Sequence, residues 1–273
     1  MDKRIFFKNN TSLVEITESV SGFKSDSYVI DFVAAEDKLL IGSVLPFNHL
    51  YFKFVVVNTE STAPTVKFWD GTEFRSVIDL VDNTDGFTSD GYIKWEVPES
   101  YSWYLEQYSY NVTGLSVTEI YNMYWAEITF SADFSATTDL KFIGHKYSTD
   151  AELFAYYPDL SQSTLLTQYQ SGKADWSEQA IMAADNIHMH LKARNLIKSD
   201  SQIVMPDVLK LASIHKTAEI IYSAFGSGYR DQKAAAAEEF KKAININQFN
   251  IDKNADGSLS RGERFWTSSG ARR

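Results

Sequence analysis

The sequence predicts an α+β protein: an N-terminal antiparallel β-sandwich, then a C-terminal α-helical bundle domain with an extended tail. Three observations predict it. Aromatic and β-branched residues crowd the chain before Phe142 in short runs separated by turn signals. After Ala174 the texture changes to Ala, Lys, Glu and Gln, with apolar residues recurring at helical spacing. Past Asn250 a short acidic loop leads into a polar end. The boundaries this implies are 1–146 for the β-domain, 147–250 for the helices, and 251–273 for the calcium-type loop and tail.

At 273 residues the chain has the length of two ordinary domains. It contains no cysteine, which excludes disulfides, thiol catalysis and cysteine-based zinc sites. A formal net charge of -10 argues against general binding of phosphate across the surface. No stretch approaches the roughly 20 apolar residues of a membrane span, so no membrane partner is expected.

Met1 to Lys24 shows no clear period and reads as an arm or an irregular first strand. Tyr28–Val33, Leu39–Ile41 and Tyr51–Val57 are short apolar runs with strong β propensity. Val66 to Val77 reads as a hairpin turning on Asp70-Gly71, a pair that readily adopts the positive φ of a tight two-residue turn. Asp82 to Gly91 is a polar loop. Ile93, Trp95 and Val97 alternate with Lys94 and Glu96; Tyr124, Ala126, Ile128 and Phe130 alternate with Trp125, Glu127 and Thr129. Such alternation places one face of each strand in a core. Leu140 to Gly144 closes the set, giving about seven or eight short strands. The tyrosine-rich stretch Tyr101 to Tyr124 is either one more strand pair or a long loop.

The helices follow. Ser148-Thr149-Asp150 caps a short helix, Ala151 to Tyr157, which Pro158 ends. A second short helix spans Ser163 to Gln170. Asp175 and Glu178 have capping-box spacing ahead of a helix running to Arg194, whose stripe is Ala180, Ala184, Ile187 and Leu191. Pro206 opens the next helix; Val208, Leu211, Ala212, His215, Ala218 and Tyr222 form its apolar face, and Gly226 suits a left-handed cap. These two helices form an antiparallel pair in close contact. A last helix runs from Tyr229 to Phe249, with alanines at Ala234 to Ala237 and a Glu238/Lys242 pair one turn apart.

The sharpest chemical signal is Asp252-Lys-Asn254-Ala-Asp256-Gly257-Ser258-Leu259-Ser260-Arg-Gly-Glu263. A hard cation needs six or seven oxygens converging from a short loop, and this spacing provides them. Asp252, Asn254 and Asp256 offer side-chain oxygens, Ser258 its carbonyl, Ser260 its hydroxyl or a water, and Glu263 a bidentate carboxylate. The expected cofactor is a structural Ca2+, with an empty acidic turn or a regulatory switch as the other readings of the same residues. The histidines assemble no site. His188 and His190, two apart on a helix, point to different faces, and His215 on an apolar stripe reads as a hydrogen-bonded core residue. His49 and His145 sit at strand ends. No phosphate loop, nucleophile elbow or HExxH is present, which argues against an enzyme; a carboxylate pair that meets only in space leaves no sequence trace. Trp103, Tyr104, Tyr108 and Tyr110 could form a sugar-stacking platform, the basis of an alternative reading as a carbohydrate-binding or host-recognition virion module carried by the sandwich.

The passage Tyr147-Ser-Thr-Asp-Ala-Glu-Leu-Phe-Ala-Tyr-Tyr-Pro158, with the block Gln179 to Phe225, resembles head–tail connector adaptor proteins of tailed bacteriophages. Those proteins open with a short capped helix after an aromatic and continue with a helix rich in small residues ending in a Leu-x-x-Arg-like turn, here Leu191-Lys-Ala-Arg194. A proline-initiated helix, a long last helix and an extended tail follow. Tyr124 to Tyr147 looks like the end of a β-domain fused ahead of such an adaptor. The resemblance covers about half the chain. It implies a structural virion protein of the phage neck, made in the host cytoplasm. Identical subunits would form a homo-oligomeric ring, of about twelve, between the portal protein and a tail or neck protein below it. The ring extends the DNA channel, and the genome passes without specific binding. The C-terminal Phe265, Trp266, Arg272 and Arg273, aromatic anchors joined to a basic end, are the residues expected to dock into the portal.

Overall fold

A computed structural model describes residues 3–10, 12–22, 26–98, 102–105, 123–134, 138–245, 251–254 and 256–257. The protein is mixed α+β and divides into two compact units. The first takes in Met1–Gly144 and the short stretch Asp252–Ser258; the second is built from His145–Ile251. Of the segment expected from residue 251 onward, Ile251 groups with the helices, while Asp252, Asn254, Asp256 and Gly257 group with the sheets.

The first unit holds two antiparallel sheets. In one the order is β2 (Ser12–Glu15), β1 (Lys3–Asn9), β4 (Lys38–Ser43), β10 (Tyr124–Phe130), β6 (Pro64–Trp69), β7 (Phe74–Ser76). In the other it is β3 (Tyr28–Ile30), β11 (Thr138–Gly144), β5 (His49–Val56), β9 (Gly91–Glu96), β8 (Ile78–Asp82). One core draws on both: Ile5, Ile41, Phe68 and Ile128 from the first sheet meet Phe52, Ile93, Trp95 and Leu140 from the second. Side chains alternate across a strand, so each sheet commits one face to this layer. The expected sandwich is present, with eleven strands among the described residues.

Three local expectations need correction. Of the two readings of the N-terminus, an arm or an irregular first strand, the strand is present but regular: β1 is paired on both sides. Its period was invisible because Ile5, Phe6 and Phe7 are all buried, Phe6 on the face away from the inter-sheet core. In β10 the alternation is legible, but the face that carries Trp125 and Glu127 is covered as well. Trp125 and Glu127, expected to face water, are buried; Trp125 packs with Phe6 and Trp69, and Glu127 pairs with Lys38 at 2.7 Å. The hairpin is where expected, but Trp69 pairs with Phe74, so the loop has four residues, Asp70 to Glu73. Asp70 organises it by accepting the Thr72 and Glu73 amides, 2.8 Å each, and the Thr72 hydroxyl at 2.7 Å.

One short helix, α1 (Thr17–Val20), belongs to the first unit. In the second unit, α2 (Asp150–Tyr156) starts at the Thr149/Glu152 capping box and ends at Tyr157, ahead of Pro158. α3 (Ser163–Tyr169) follows. α4 (Ser177–Ala193) begins without the capping box its sequence predicts. Asp175 accepts the Ser177 amide at 2.8 Å, and Glu178 pairs with Lys173 at 3.1 Å. Pro206 opens a 3-10 turn that continues as α5 (Lys210–Ala224), and Gly226 takes φ +71 just past its end. α6 (Arg230–Ile244) follows, with Lys242 3.3 Å from Glu238.

The predicted α4 stripe is buried, Ala180, Ala184, Ile187 and Leu191 all being at most 2 % exposed. At one end of the unit Trp176 packs in a cluster with Ile221 and Tyr222; at the other Leu191 packs with Leu209 and Ala212. This makes α4 and α5 antiparallel. The buried face of α5 is broader than predicted. It adds Ser213, Ile214, Thr217 and Ile221, while Val208 and Leu211 are only partly covered. Residues 246–249, expected to end the last helix, lie outside the described residues.

Candidate functional site

The calcium-type loop lies in the sheet-bearing unit. Asp252 is fully buried. Its carboxylate accepts the Asp256 amide on Oδ1 at 3.2 Å and the Gly257 amide on Oδ2 at 2.8 Å. Asn254 Oδ1 also accepts the Asp256 amide, at 3.3 Å, and Asn254 Nδ2 donates to Asp256 Oδ2 at 2.8 Å. The chain thus wraps a tight turn around one carboxylate. A negative side chain can be buried there because backbone amides supply the hydrogen bonds that water would otherwise give.

Gly257 is needed twice over. Its φ is +86, and a Cβ there would come within 2.9 Å of the Pro46 side chain and 3.5 Å of Trp103. The turn is therefore wedged against the sandwich instead of hanging free. The Tyr124 phenol registers the same charge: burial first, and then the nearby Asp252 carboxylate, push its pKa up.

Asp252, Asn254 and Asp256 thus share one hydrogen-bonded turn. The remaining predicted ligands, Ser258, Ser260 and Glu263, lie outside the described residues, as do Phe265, Trp266, Arg272 and Arg273. Among the described residues, no three His, Asp or Glu side chains gather in a way that could hold a metal ion. The described part of the loop offers two carboxylates and one amide oxygen. Oxygen donors of this kind suit Ca2+ rather than a softer metal.

The histidines divide as residue type and spacing require. His215 is a core residue whose Nδ1 lies 2.8 Å from the Tyr157 hydroxyl. Burial lowers its pKa, opposed by the carboxylate of Glu239, while Tyr157 is pushed up to about 12, mainly by its own burial. His190 is half-buried. Burial and the cations Arg194 and Lys216 lower its pKa. His49 opens β5, its Nδ1 3.0 Å from the Asn48 side-chain oxygen.

One convergence has no sequence signature. His145 and His188 meet edge to face with ring centroids 5.3 Å apart. Tyr147 Oη lies 2.5 Å from His188 Nε2, and Asp200 Oδ2 lies 3.1 Å from His145 Nε2. His145, Tyr147 and His188 are buried between α4 and the chain entering α2, with Asp200 half-buried beside them, and the contacts tie that entry down. The group has the chemistry of a structural polar network. The expected spacing argument still holds for His188 and His190, which lie on different faces of α4.

Trp103 takes no part in an exposed aromatic platform. Trp103 is 6 % exposed and stacks on Phe68 at 5.6 Å, inside the sandwich core. Tyr104 is 55 % exposed but lies over Gly71 of the β6–β7 loop. Tyr108 and Tyr110 lie outside the described residues.

Compared with models of protein families and with curated protein sequences, the chain matches none.

Proposed function

We propose that this chain is a structural, non-enzymatic protein of a tailed-phage neck, a head–tail connector adaptor forming a ring between the portal and the tail and extending the DNA channel. The observation that carries this reading is the order and packing of the helices. An aromatic, Tyr147, leads into the capped α2. The small-residue helix α4 and the proline-opened α5 follow, then α6. Ala180, Ala183 and Ala184 of α4 and Ala212 and Ala218 of α5 are buried, and small residues there let neighbouring helices come close. Nothing in this arrangement requires a bond to be made or broken.

Charge fits the role. A subunit of net charge -10 lining a channel repels DNA phosphate, so the genome passes without sticking. Among the described residues no helix is long and apolar enough to cross a membrane. In this reading Asp252, Asn254 and Asp256, with Ser258, Ser260 and Glu263, hold a structural Ca2+ that sets the direction in which the last residues leave the sandwich. Phe265, Trp266, Arg272 and Arg273 then dock into the portal.

The test is electron microscopy of the protein mixed with its portal, run beside a variant lacking Phe265 to Arg273. A ring seated on the portal, lost in the truncated but folded variant, is the expected result. Intact virions lacking the polypeptide at the portal–tail junction would overturn the reading, as would turnover of a substrate by the purified chain.

A further inference from the structure

Two helices of the second unit leave matched stripes uncovered. On α4, Glu178, Met182, Asp185 and Met189 follow one another at i, i+4, i+7 and i+11, a single line along the face opposite the buried stripe. Met182 is 46 % exposed and Met189 60 % exposed. Two long thioether side chains on open helix surface are costly to leave in water and adapt readily to a partner. On α6, Arg230, Ala234, Ala237 and Lys241 have the same spacing. Arg230, Ala234 and Lys241 are exposed and Ala237 is partly so. Arg230 and Lys241 have no ion-pair partner among the described residues.

The two stripes complement each other in shape and charge. One presents two bulky apolar knobs with two carboxylates; the other presents two alanines between two cations. We infer that α4 of one copy of this chain packs on α6 of the next, so that the occupant of the methionine face is a second copy. Because the two stripes differ, the contact is heterologous: each copy uses α4 on one side and α6 on the other, and repetition closes a ring.

The relative direction follows from the ring reading proposed above, on which this step rests. With about twelve subunits, neighbours differ by a rotation of only about 30°, so each helix keeps nearly the direction it has within its own copy. α5 is antiparallel to α4, and Tyr222 of α5 stacks on Tyr229 at the turn into α6 while Lys216 lies over the Phe240 ring. α4 and α6 therefore run the same way. In the register that brings Glu178 to Arg230, parallel packing sets Met182 opposite Ala234, Asp185 opposite Ala237 and Met189 opposite Lys241. Lys241 then reaches Asp185 one turn away. Glu178, which also meets Lys173 at 3.1 Å, is shared between two cations.

The chain has no cysteine, so engineered thiols report this contact without background. Two full-length variants, Met182→Cys and Ala234→Cys, are oxidised separately and as an equal mixture, each carrying a tag of different mass. The expected result is a covalent dimer in the mixture, joining one tag to the other, that neither variant forms alone. A single-cysteine chain cannot cross-link within itself, and mild surface substitutions of this kind leave the fold intact. No mixed dimer would overturn the inference. Efficient dimerisation of Met182→Cys alone would also overturn it, because the face would then pair with itself. A charge check accompanies it. Asp185→Lys should abolish the cross-link, and adding Lys241→Glu to the same chains should restore it. Portal binding is read separately, so a chain that seats on the portal without this cross-link loses the interface but keeps the neck reading. A chain that cross-links but ignores the portal does the reverse.

Discussion

Gly257 donates its backbone amide to the Asp252 carboxylate at 2.8 Å, and the same glycine has no room for a Cβ beside Pro46. One residue therefore donates to a buried carboxylate and lets the turn lie against the sandwich. A carboxylate held this way is oriented before any cation arrives, and less ordering remains to oppose binding.

Calcium binding should therefore be measurable on the full chain. Calorimetry is expected to show one Ca2+ site, and Glu263→Gln should weaken it at least about tenfold by removing the bidentate carboxylate. At about a hundredfold excess over the dissociation constant, Ca2+ should stabilise the fold by about 2.7 kcal/mol, reversed by a chelator. A thermal midpoint indifferent to both Ca2+ and chelator would remove the cation from the account.

Gly42 pairs with Trp125 across β4 and β10, and the indole covers it so closely that a Cβ would sit 2.7 Å from the ring. Gly42→Ala should cost about 1–3 kcal/mol in denaturant unfolding, because the tryptophan must leave a well-packed position. Double substitution with Trp125→Phe should cost less than the sum of the two single changes. Simple additivity would mean that the two residues do not compete for space.

The Asp70 carboxyl offers a pH handle. Burial alone would raise its pKa, but hydrogen bonds from Arg75 and from the Glu73 and Thr72 groups outweigh that and hold it well below the usual 3.8. A depressed carboxylate stabilises the fold above its unfolded-state pKa, and the contribution is lost as pH falls through the folded value. Asp70→Asn should cost about 1–2 kcal/mol at neutral pH, with the gap from wild type closing on acidification below about pH 4. A gap that stays constant down to pH 2 would contradict the assignment.

His215 acts in the opposite range. Its folded-state pKa is lowered, chiefly by burial, so below the ordinary 6.5 the unfolded chain takes up a proton that the folded one resists. Stability should fall as pH drops from about 7.5 to 5, and His215→Gln should flatten that part of the profile. Tyr157→Phe, which removes the phenol 2.8 Å from the ring, should cost about 1 kcal/mol near neutral pH. Equal pH slopes in wild type and His215→Gln would place the titration elsewhere.

Signals that act over a few residues were legible in the chain itself. Thr149 and Glu152 close their capping box, Pro206 starts a helix, Gly226 takes the left-handed cap, and the stripe from Ala180 to Leu191 is buried. The α+β order belongs to the same class, because caps and periods are set by neighbours along the backbone. Where local rules failed, a distant partner had changed the environment. Phe6 hides the period of its strand, and Trp125 is buried on the second face of β10, because the outer face of their sheet is covered too; Glu178 turns to Lys173 instead of capping α4. Only the tertiary structure brought Tyr147 to His188, carried Trp103 into the core, and seated the Asp252 turn against Pro46. Those pairings join residues tens to hundreds of positions apart, and what selects them is the burial of apolar surface by the whole unit, a quantity that no short stretch of sequence contains.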